Sequence, residues 1–594
     1  MGTFQKAVLL AIVLTGMQQS VLAQSVKSLE QGQLNPIERL KTPGVIKKEE
    51  KKEIEVLPPL PPEELKKQKD DIAAMSSVFI KSILVEGNTV LSDAQIAVII
   101  KPYNNRKVTI KELHDLRLEL SKKYLALGYV NSGAILPDQS LVDGVVTYKI
   151  IEGTLTEVAL SGNDGLRDNY IKSRILDKID QPLNVTELQT ALKQLNQNSR
   201  IARVQAQLAP GSALGTSVLN LDVSEASPYE ARLRVDNHRA PSVGAERAVL
   251  TLIDRNVTGW GDQVVLSTSR SDGLGDTFVS YDFPVNADDA SVSVSYSQSD
   301  SSVSEEPFDT VNIDSKSNNA SLGYDSPWIN QIDRRISWSI GLDKRHSETT
   351  LDGSPISFSA GPINGETDST SVRVGFEWVE RSERQVLALR TTLRQGIDAL
   401  GATINDDREP MAEGFGFIDA KYFPDGEFTT AVLQLQFARL FVHDWFGGEF
   451  QTRLTTQWAS EPLLSLEKIS IGGVNTVRGY RENQYVRDNG YHVTLEYRIP
   501  LFIDTFGQSE YGLAIVPFYD MGKAWDHSDS KKFGGDTDKF DISSIGLGLT
   551  YDPLKWAHFE LFYGSALDDV PEPAEDDLQD DGVHFAMTFS WPFD

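Results

Sequence analysis

The chain has 594 residues, enough for several domains, and its 57 lysines and arginines stand against 85 acidic residues for a formal charge of −28. That balance argues against nucleic acid as a partner, because phosphate contacts need a basic surface. With no cysteine in the chain, disulfides and thiolate metal sites are excluded.

Residues 1–23 carry one lysine, then an apolar run from Ala7 to Leu14, and end on Val-Leu-Ala ahead of Gln24. This reads as a secretory signal peptide cut after Ala23. The run falls short of the roughly 20 residues that span a bilayer as a helix. Residues 24–77 read as a helix-prone stretch broken near Pro36, then a linker, "KKEEKKEIEVLPPLPPEELKKQKDD", whose like charges and paired prolines cannot bury a core.

From Phe79 the pattern becomes that of a folded module. "FIKSILVEGN" alternates as a strand and stops at Gly87-Asn88. Ser92 with Gln95 and Thr109 with Glu112 form capping boxes that open two helices. The second helix sets Leu113, Leu116, Leu120, Tyr124 and Leu127 on one stripe, and Gly128 ends it. The strands "SGAIL" and "VVTYKIIEG" complete a β-α-α-β-β order over 78–153. The order then repeats over 154–227. "LTEVALSGN" ends at Gly162-Asn163, about 75 residues after the first Gly-Asn; Thr186 with Gln189 caps a helix, and "RVQAQLA" and "SVLNLDV" close the unit. The pair resembles POTRA domains, the periplasmic modules of outer-membrane transport and assembly barrels. The stretch "LGYVNSGAILPDQSLVDGVVTYKIIEG" is similar to the ShlB type, including Pro137, Gln139 and the Glu152-Gly153 end.

From residue 228 to 594 the dominant pattern is alternation. "ASVSVSYSQ" sets Val292, Val294 and Tyr296 against serines, "ISWSIGL" and "SVRVGFEWVE" do likewise, and the last strand puts Val583, Phe585, Met587, Phe589, Trp591 and Phe593 on one face. Strands of about ten residues, a polar second face, and short turns such as "PVNADDA" and "VHDWFGGE" against long acidic loops at 343–370 and 523–540 predict a transmembrane β-barrel. Seventeen segments qualify, an awkward number where even counts hold. The weakest, "GFGFIDAKYF" at 414–423, is assigned to a loop, leaving a 16-stranded antiparallel barrel.

A long loop, 461–492, carries Val477, Arg478, Gly479 and Tyr480 after "SIGG", and about forty residues later stands Phe518-Tyr519-Asp520-Met521-Gly522. With these motifs the chain resembles the two-partner secretion transporters, the TpsB family of hemolysin activator-like proteins, over nearly its whole length. Alternation places Ala514, Val516, Phe518 and Asp520 on the inner wall if Leu513, Ile515, Pro517 and Tyr519 face lipid. The resemblance implies that the loop folds back into the barrel and that Arg478 meets Asp520 there, with Gly479 turning the chain and Tyr480 supplying a packing face. An arginine fork suits a carboxylate on that wall. The same resemblance offers residues 24–40 as a pore plug, with a free periplasmic tail as the alternative.

No HExxH, GxSxG or P-loop is present, and the 8 histidines make no ligand spacing, so no catalytic site, metal or cofactor is expected. The resemblance implies an outer-membrane protein whose periplasmic modules bind an unfolded exoprotein of the TpsA type, a haemolysin, adhesin or toxin. That chain then crosses the barrel without nucleotide hydrolysis, with outer-membrane lipid as the other partner. A barrel-assembly factor of the same superfamily and a passive porin stand as alternatives.

Overall fold

The computed structural model describes residues 77–405, 411–412, 417–418, 423–441, 447–502, 512–533, 538–571, 573 and 575–593. The leader, the plug stretch and nearly all of the linker lie outside them. The chain forms two compact units, one holding the two small modules and one holding the barrel.

The first module runs β1 (Ser77–Ile80), β2 (Ser82–Glu86), α1 (Asp93–Ile100), β3 (Arg106–Thr109), α2 (Ile110–Ala126), β4 (Gly133–Ile135) and β5 (Val145–Ile151). Its sheet has the order β2-β5-β4, with β2 parallel to β5. What alternation joins into one strand at 79–88 is two, divided at Lys81, where the N–H groups of Lys81 and Ser82 both reach the Gly144 carbonyl. The freed β1 pairs with β3 as a ribbon. Both capping boxes form, on Ser92–Gln95 and on Thr109–Glu112. Leu113, Leu116, Leu120 and Tyr124 are buried, but Leu127 is exposed. The helix ends at Ala126, so Leu127 is already its C-cap and leaves the stripe.

The second module runs β6 (Thr154–Ser161), α3 (Asp168–Leu176), α4 (Val185–Asn196), β7 (Ile201–Pro210) and β8 (Thr216–Glu225), with sheet order β6-β8-β7. Asn184, extended and accepting the Thr186 N–H, caps α4 in place of the expected Thr186–Gln189 pair. Both modules use the same turn. Gly87 and Gly162 have φ of +74° and +77°, and a Cβ on them would lie 2.7 Å from Ile150 O and 2.4 Å from Val223 O. The next residue, Asn88 or Asn163, donates through Nδ2 to the carbonyl three residues on, Leu91 or Leu166. A glutamate after the last strand of the first module, Glu152, accepts from the N–H groups of Thr89 and Val90. Glu225, at the end of β8, does so from Gly165 and Leu166.

The barrel begins β9 (Tyr229–Asp236), β10 (Arg247–Asp254), β11 (Gln263–Arg270), β12 (Leu274–Pro284), β13 (Ser291–Ser302), β14 (Ile313–Asn330) and β15 (Arg334–Leu351). A two-residue flap, β16 (Ser354–Pro355), precedes β17 (Glu366–Arg381) and β18 (Gln385–Gly396). A minimal ladder outside the barrel, β19 (Met411–Ala412) with β20 (Phe417–Ile418), stands where the segment left out of the strand count begins; most of that segment lies outside the described residues. Then come β21 (Thr429–Phe441), β22 (Gly448–Ala459), the hairpin strands β23 (Ile469–Ile471) and β24 (Tyr485–Arg487), β25 (Asn489–Pro500), β26 (Leu513–Trp525), β27 (Lys539–Leu554), β28 (Ala557–Ala566) and β29 (Val583–Phe593). Leaving out the flap and the small hairpins, sixteen antiparallel strands among the described residues close into a barrel, with β29 pairing β9.

The pleat explains the alternation. Val294, Tyr296, Ile340, Val374, Phe376, Met587 and Trp591 are exposed on the outer face, while Ser337, Asp343, Asp520 and His584 are buried on the inner one. Trp556 stacks on Trp591, and Phe589 on the same ring, as an outward aromatic belt does. Two expected loops are shorter than read. β15 continues to Leu351 and β17 begins at Glu366, so the first loop is 352–365; β26 continues to Trp525 and β27 begins at Lys539, so the second is 526–538. Polar alternation such as His346, Glu348 and Thr350 against Arg345, Ser347 and Thr349 resembles loop composition once a strand leaves the apolar band.

Candidate functional site: a loop pinned inside the barrel

The 461–492 loop is organised by the β23–β24 hairpin, whose register pairs Ile469 with Arg487 and Ile471 with Tyr485. Its apex, 472–484, carries the Val-Arg-Gly-Tyr stretch. Arg478 is 1% exposed, which makes it the largest fully buried side chain among the described residues. A guanidinium in that position needs partners for its whole fork.

The barrel wall supplies them. Arg478 Nε donates to Asp520 Oδ2 at 2.7 Å and Nη2 to Oδ1 at 2.8 Å, a bidentate pair, and the Arg478 N–H adds a bond to Oδ2 at 3.1 Å. Nη1 reaches a second carboxylate, Glu496 Oε1 on β25, at 2.7 Å. Arg453 on β22 also donates to Glu496 at 2.7 Å, so four charges alternate in sign along one chain of contacts. Two rings stack on the guanidinium, Phe518 at 3.6 Å and Phe562 at 4.9 Å from Cζ to ring centroid.

Parity delivers this arrangement. On β26 the buried residues are Ala514, Val516, Phe518, Asp520, Gly522 and Ala524, and the alternate ones are more open. Each residue of the wall motif then has its own task. Phe518 covers the cation, Asp520 binds it, and Gly522 makes room, since a Cβ there would lie 2.9 Å from Val477 Cγ2.

Gly479 works by close backbone approach. Its φ is +87°, and a Cβ would meet the Gly564 carbonyl oxygen on β28 at 2.8 Å. Its N–H donates to His584 Nε2 on β29 at 3.3 Å. The Tyr480 hydroxyl donates to Ser543 O at 2.8 Å and accepts the Asp568 N–H at 3.1 Å. Its ring packs with Ile471, Val477, Tyr485, Ala524 and Ile542.

The structure thus brings Val477, Arg478, Gly479 and Tyr480 together with Phe518, Asp520 and Gly522. Gly87, Asn88, Gly162 and Asn163 are turn residues of the small modules. Sequence reasoning missed Glu496, Phe562, Gly564 and His584. Only inner-wall parity marks these, and it marks many other residues equally. It also missed Arg481 and Glu482, next to the tetrad. Arg481 pairs with Glu305 and Asp580, and the Glu482 N–H donates to Gln579 Oε1 at 2.8 Å.

Known proteins share both parts. The family model for the haemolysin secretion/activation protein ShlB/FhaC/HecB matches residues 215–551, and that for the ShlB-type POTRA domain matches 78–153. The outer membrane transporter CdiB of Escherichia coli is 24% identical over 460 residues, covering 76% of this chain and 73% of its own. The hemolysin transporter protein HpmB of Proteus mirabilis is 22% identical over 514 residues, 82% of each. The solved structure of CdiB from Escherichia coli superposes with a TM-score of 0.61 at 21% identity, covering 89% of this chain and 93% of that one. BamA from Haemophilus ducreyi lacking POTRA domains 1–3 gives 0.52 at 14% identity, covering 86% and 100%; at these identities the likeness is one of fold. The chain belongs to the ShlB/FhaC/HecB haemolysin secretion/activation family, the outer-membrane transporters of two-partner secretion, with its barrel in the outer membrane and POTRA modules in the periplasm.

Proposed function

We propose that this transporter exports one dedicated large exoprotein of the TpsA type, a haemolysin, adhesin or toxin, bound unfolded by the two modules at 78–153 and 154–227. The observation that carries this reading is the ShlB-type module match beside a family match that spans most of the barrel. The relatives are named as transporters, which supports a non-enzymatic role. Among the described residues the three-stranded sheets end at β2 and β4, and at β6 and β7, edges suited to receiving an extended chain by strand addition. Arg478, clamped by Asp520 and Glu496, sets the position of the loop in the lumen, and energy comes from folding of the cargo outside the cell.

The likeness to BamA keeps barrel assembly as the second reading. Comparing the extracellular and outer-membrane proteomes of cells with and without the gene separates the two. Loss of one or two large exoproteins with other barrels unchanged is the expected result. A broad fall in outer-membrane barrels would overturn it in favour of assembly.

A further inference from the structure

The apex of the loop is held on one wall of the barrel, and its foot reaches another. Glu467, two residues before β23, is 5% exposed. Its carboxylate accepts from Ser369 Oγ on β17 at 2.9 Å and Arg394 Nη1 on β18 at 3.0 Å. It also lies 3.5 Å from Arg345 Nη1 on β15, which donates to the Leu466 carbonyl at 2.8 Å. Counted from β9 around the barrel, β17 is the eighth strand, while β28 and β29, which hold Gly479, are the fifteenth and sixteenth. The eighth and sixteenth of sixteen strands lie half a circumference apart, so the loop is a crossbar over the lumen.

The next residue belongs to the apex side. Lys468 Nζ pairs with Asp488 at 2.8 Å and Asp526 at 2.9 Å, at the ends of β25 and β26. Between Glu467 and Lys468 the side-chain partners of the loop therefore change from β17 and β18 to the ends of β25 and β26.

We propose that Glu467 is the releasable anchor of this crossbar, and that substrate passage requires it to hand Arg394 over to Asp343. This rests on the transport reading above. Two observations favour release at this end. Arg478 is clamped by two carboxylates and two rings, and the backbone beside it is wedged against Gly564, so freeing it would strand charges with no replacement. Arg394 has a replacement. Asp343 on β15 is 1% exposed; its Oδ1 accepts from Ser321 Oγ at 2.6 Å and pairs with Arg373 at 3.2 Å. Its Oδ2 accepts no hydrogen bond and lies 3.9 Å from Arg394 Nη2. A shift of about 1 Å brings that pair to hydrogen-bond distance. The cation then trades one carboxylate for another. The hairpin, still held by Arg478 and Lys468, swings toward the β25–β29 wall and clears the lumen along β15–β18.

Planar-bilayer recording on the full-length protein tests this without any cargo. Glu467→Gln weakens the anchor and raises the open fraction about tenfold, and Glu467→Asp recovers part of the closed state. Asp343→Asn removes the receiving carboxylate, so export falls; export equal to wild type overturns the handover. A Glu467→Gln trace indistinguishable from wild type overturns the proposal. Should that variant fail to fold, a Glu467→Cys/Ser369→Cys pair in this cysteine-free chain, bridged by a short bis-methanethiosulfonate, blocks exoprotein release until dithiothreitol is added. Undiminished export from fully bridged protein also overturns it. Loss of the transport reading would show instead as wild-type protein that exports nothing.

Discussion

Replacing Arg478 by lysine keeps the charge and removes the fork. The native side chain makes three charge-assisted bonds, two to Asp520 and one to Glu496. A lysine ammonium is a point charge that serves one carboxylate well and leaves the other buried without its partner. Losing two such bonds at about 1.5–3 kcal/mol each, with part recovered by local relaxation, gives roughly 3 kcal/mol against the docked loop. That is a change of about a hundredfold in the docked-to-undocked ratio. Because the chain has no cysteine, a single Val477→Cys reports the ratio directly, Val477 being 0% exposed when the loop is docked. Maleimide labelling of this cysteine in outer-membrane fragments should run about a hundredfold faster once Arg478→Lys is added than in the chain that keeps Arg478. Rates agreeing within about twofold would refute the claim that the fork, rather than the charge, holds the loop.

Two further outcomes concern the loop and a third the first module. Gly522→Ala puts a methyl 2.9 Å from Val477 Cγ2 and should cost about 1–3 kcal/mol of barrel stability, with falling export; Val477→Ala in the same chain should restore both, read by thermal unfolding and by exoprotein in the medium. Gly479→Ala meets the backbone carbonyl of Gly564 at 2.8 Å with a φ of +87°, so export should fall and Val477→Ala should not rescue it. In the first module, burial pushes the Glu152 carboxyl up, but donation from the Thr89 hydroxyl and N–H, the Tyr124 hydroxyl and the Val90 N–H outweighs it and holds the group below its ordinary value. A depressed folded value means that this stabilisation is present above the unfolded carboxylate range and is lost as pH falls through the folded value. Hydrogen-exchange protection of α2, corrected for intrinsic rate, should therefore drop in wild type as pH falls below the ordinary carboxylate range. Glu152→Gln should be weaker at neutral pH and nearly flat across that range.

How much of this was legible in the chain depended on range. Where a signal is written within four residues, the expectation and the structure agree: the two capping boxes, the Gly-Asn turns, and the inward parity of β26. Where a competing local choice exists, they part. Asn184 takes the cap of α4 two residues ahead of Thr186. Lys81 breaks an alternating run because Gly144, more than sixty residues away, offers both flanking N–H groups one acceptor. The repeated order implies helix α3 but does not place it, because a nine-residue segment with Arg174 among its buried positions gives a weak apolar stripe.

The site divides in the same way. Arg478 and Asp520 stand in motifs that point to one another, but what makes the pair a clamp comes from strands with no motif at all. Glu496 lies on β25 and looks like any polar residue of an alternating strand. Gly564 is one glycine among 44, and matters only because Gly479 is pressed against it. Glu467 meets Ser369 across a separation of 98 residues, and no periodicity within either segment encodes that meeting. Closure of the barrel creates it. Once β29 pairs with β9, the strand that holds the foot of the loop and the strand that holds its apex are forced opposite one another, and a loop bonded to both must cross the lumen. The tetrad carries a resemblance, whereas the crossbar is a property of the closed barrel, set by two carboxylates and a glycine whose roles exist only after the last strand has found the first.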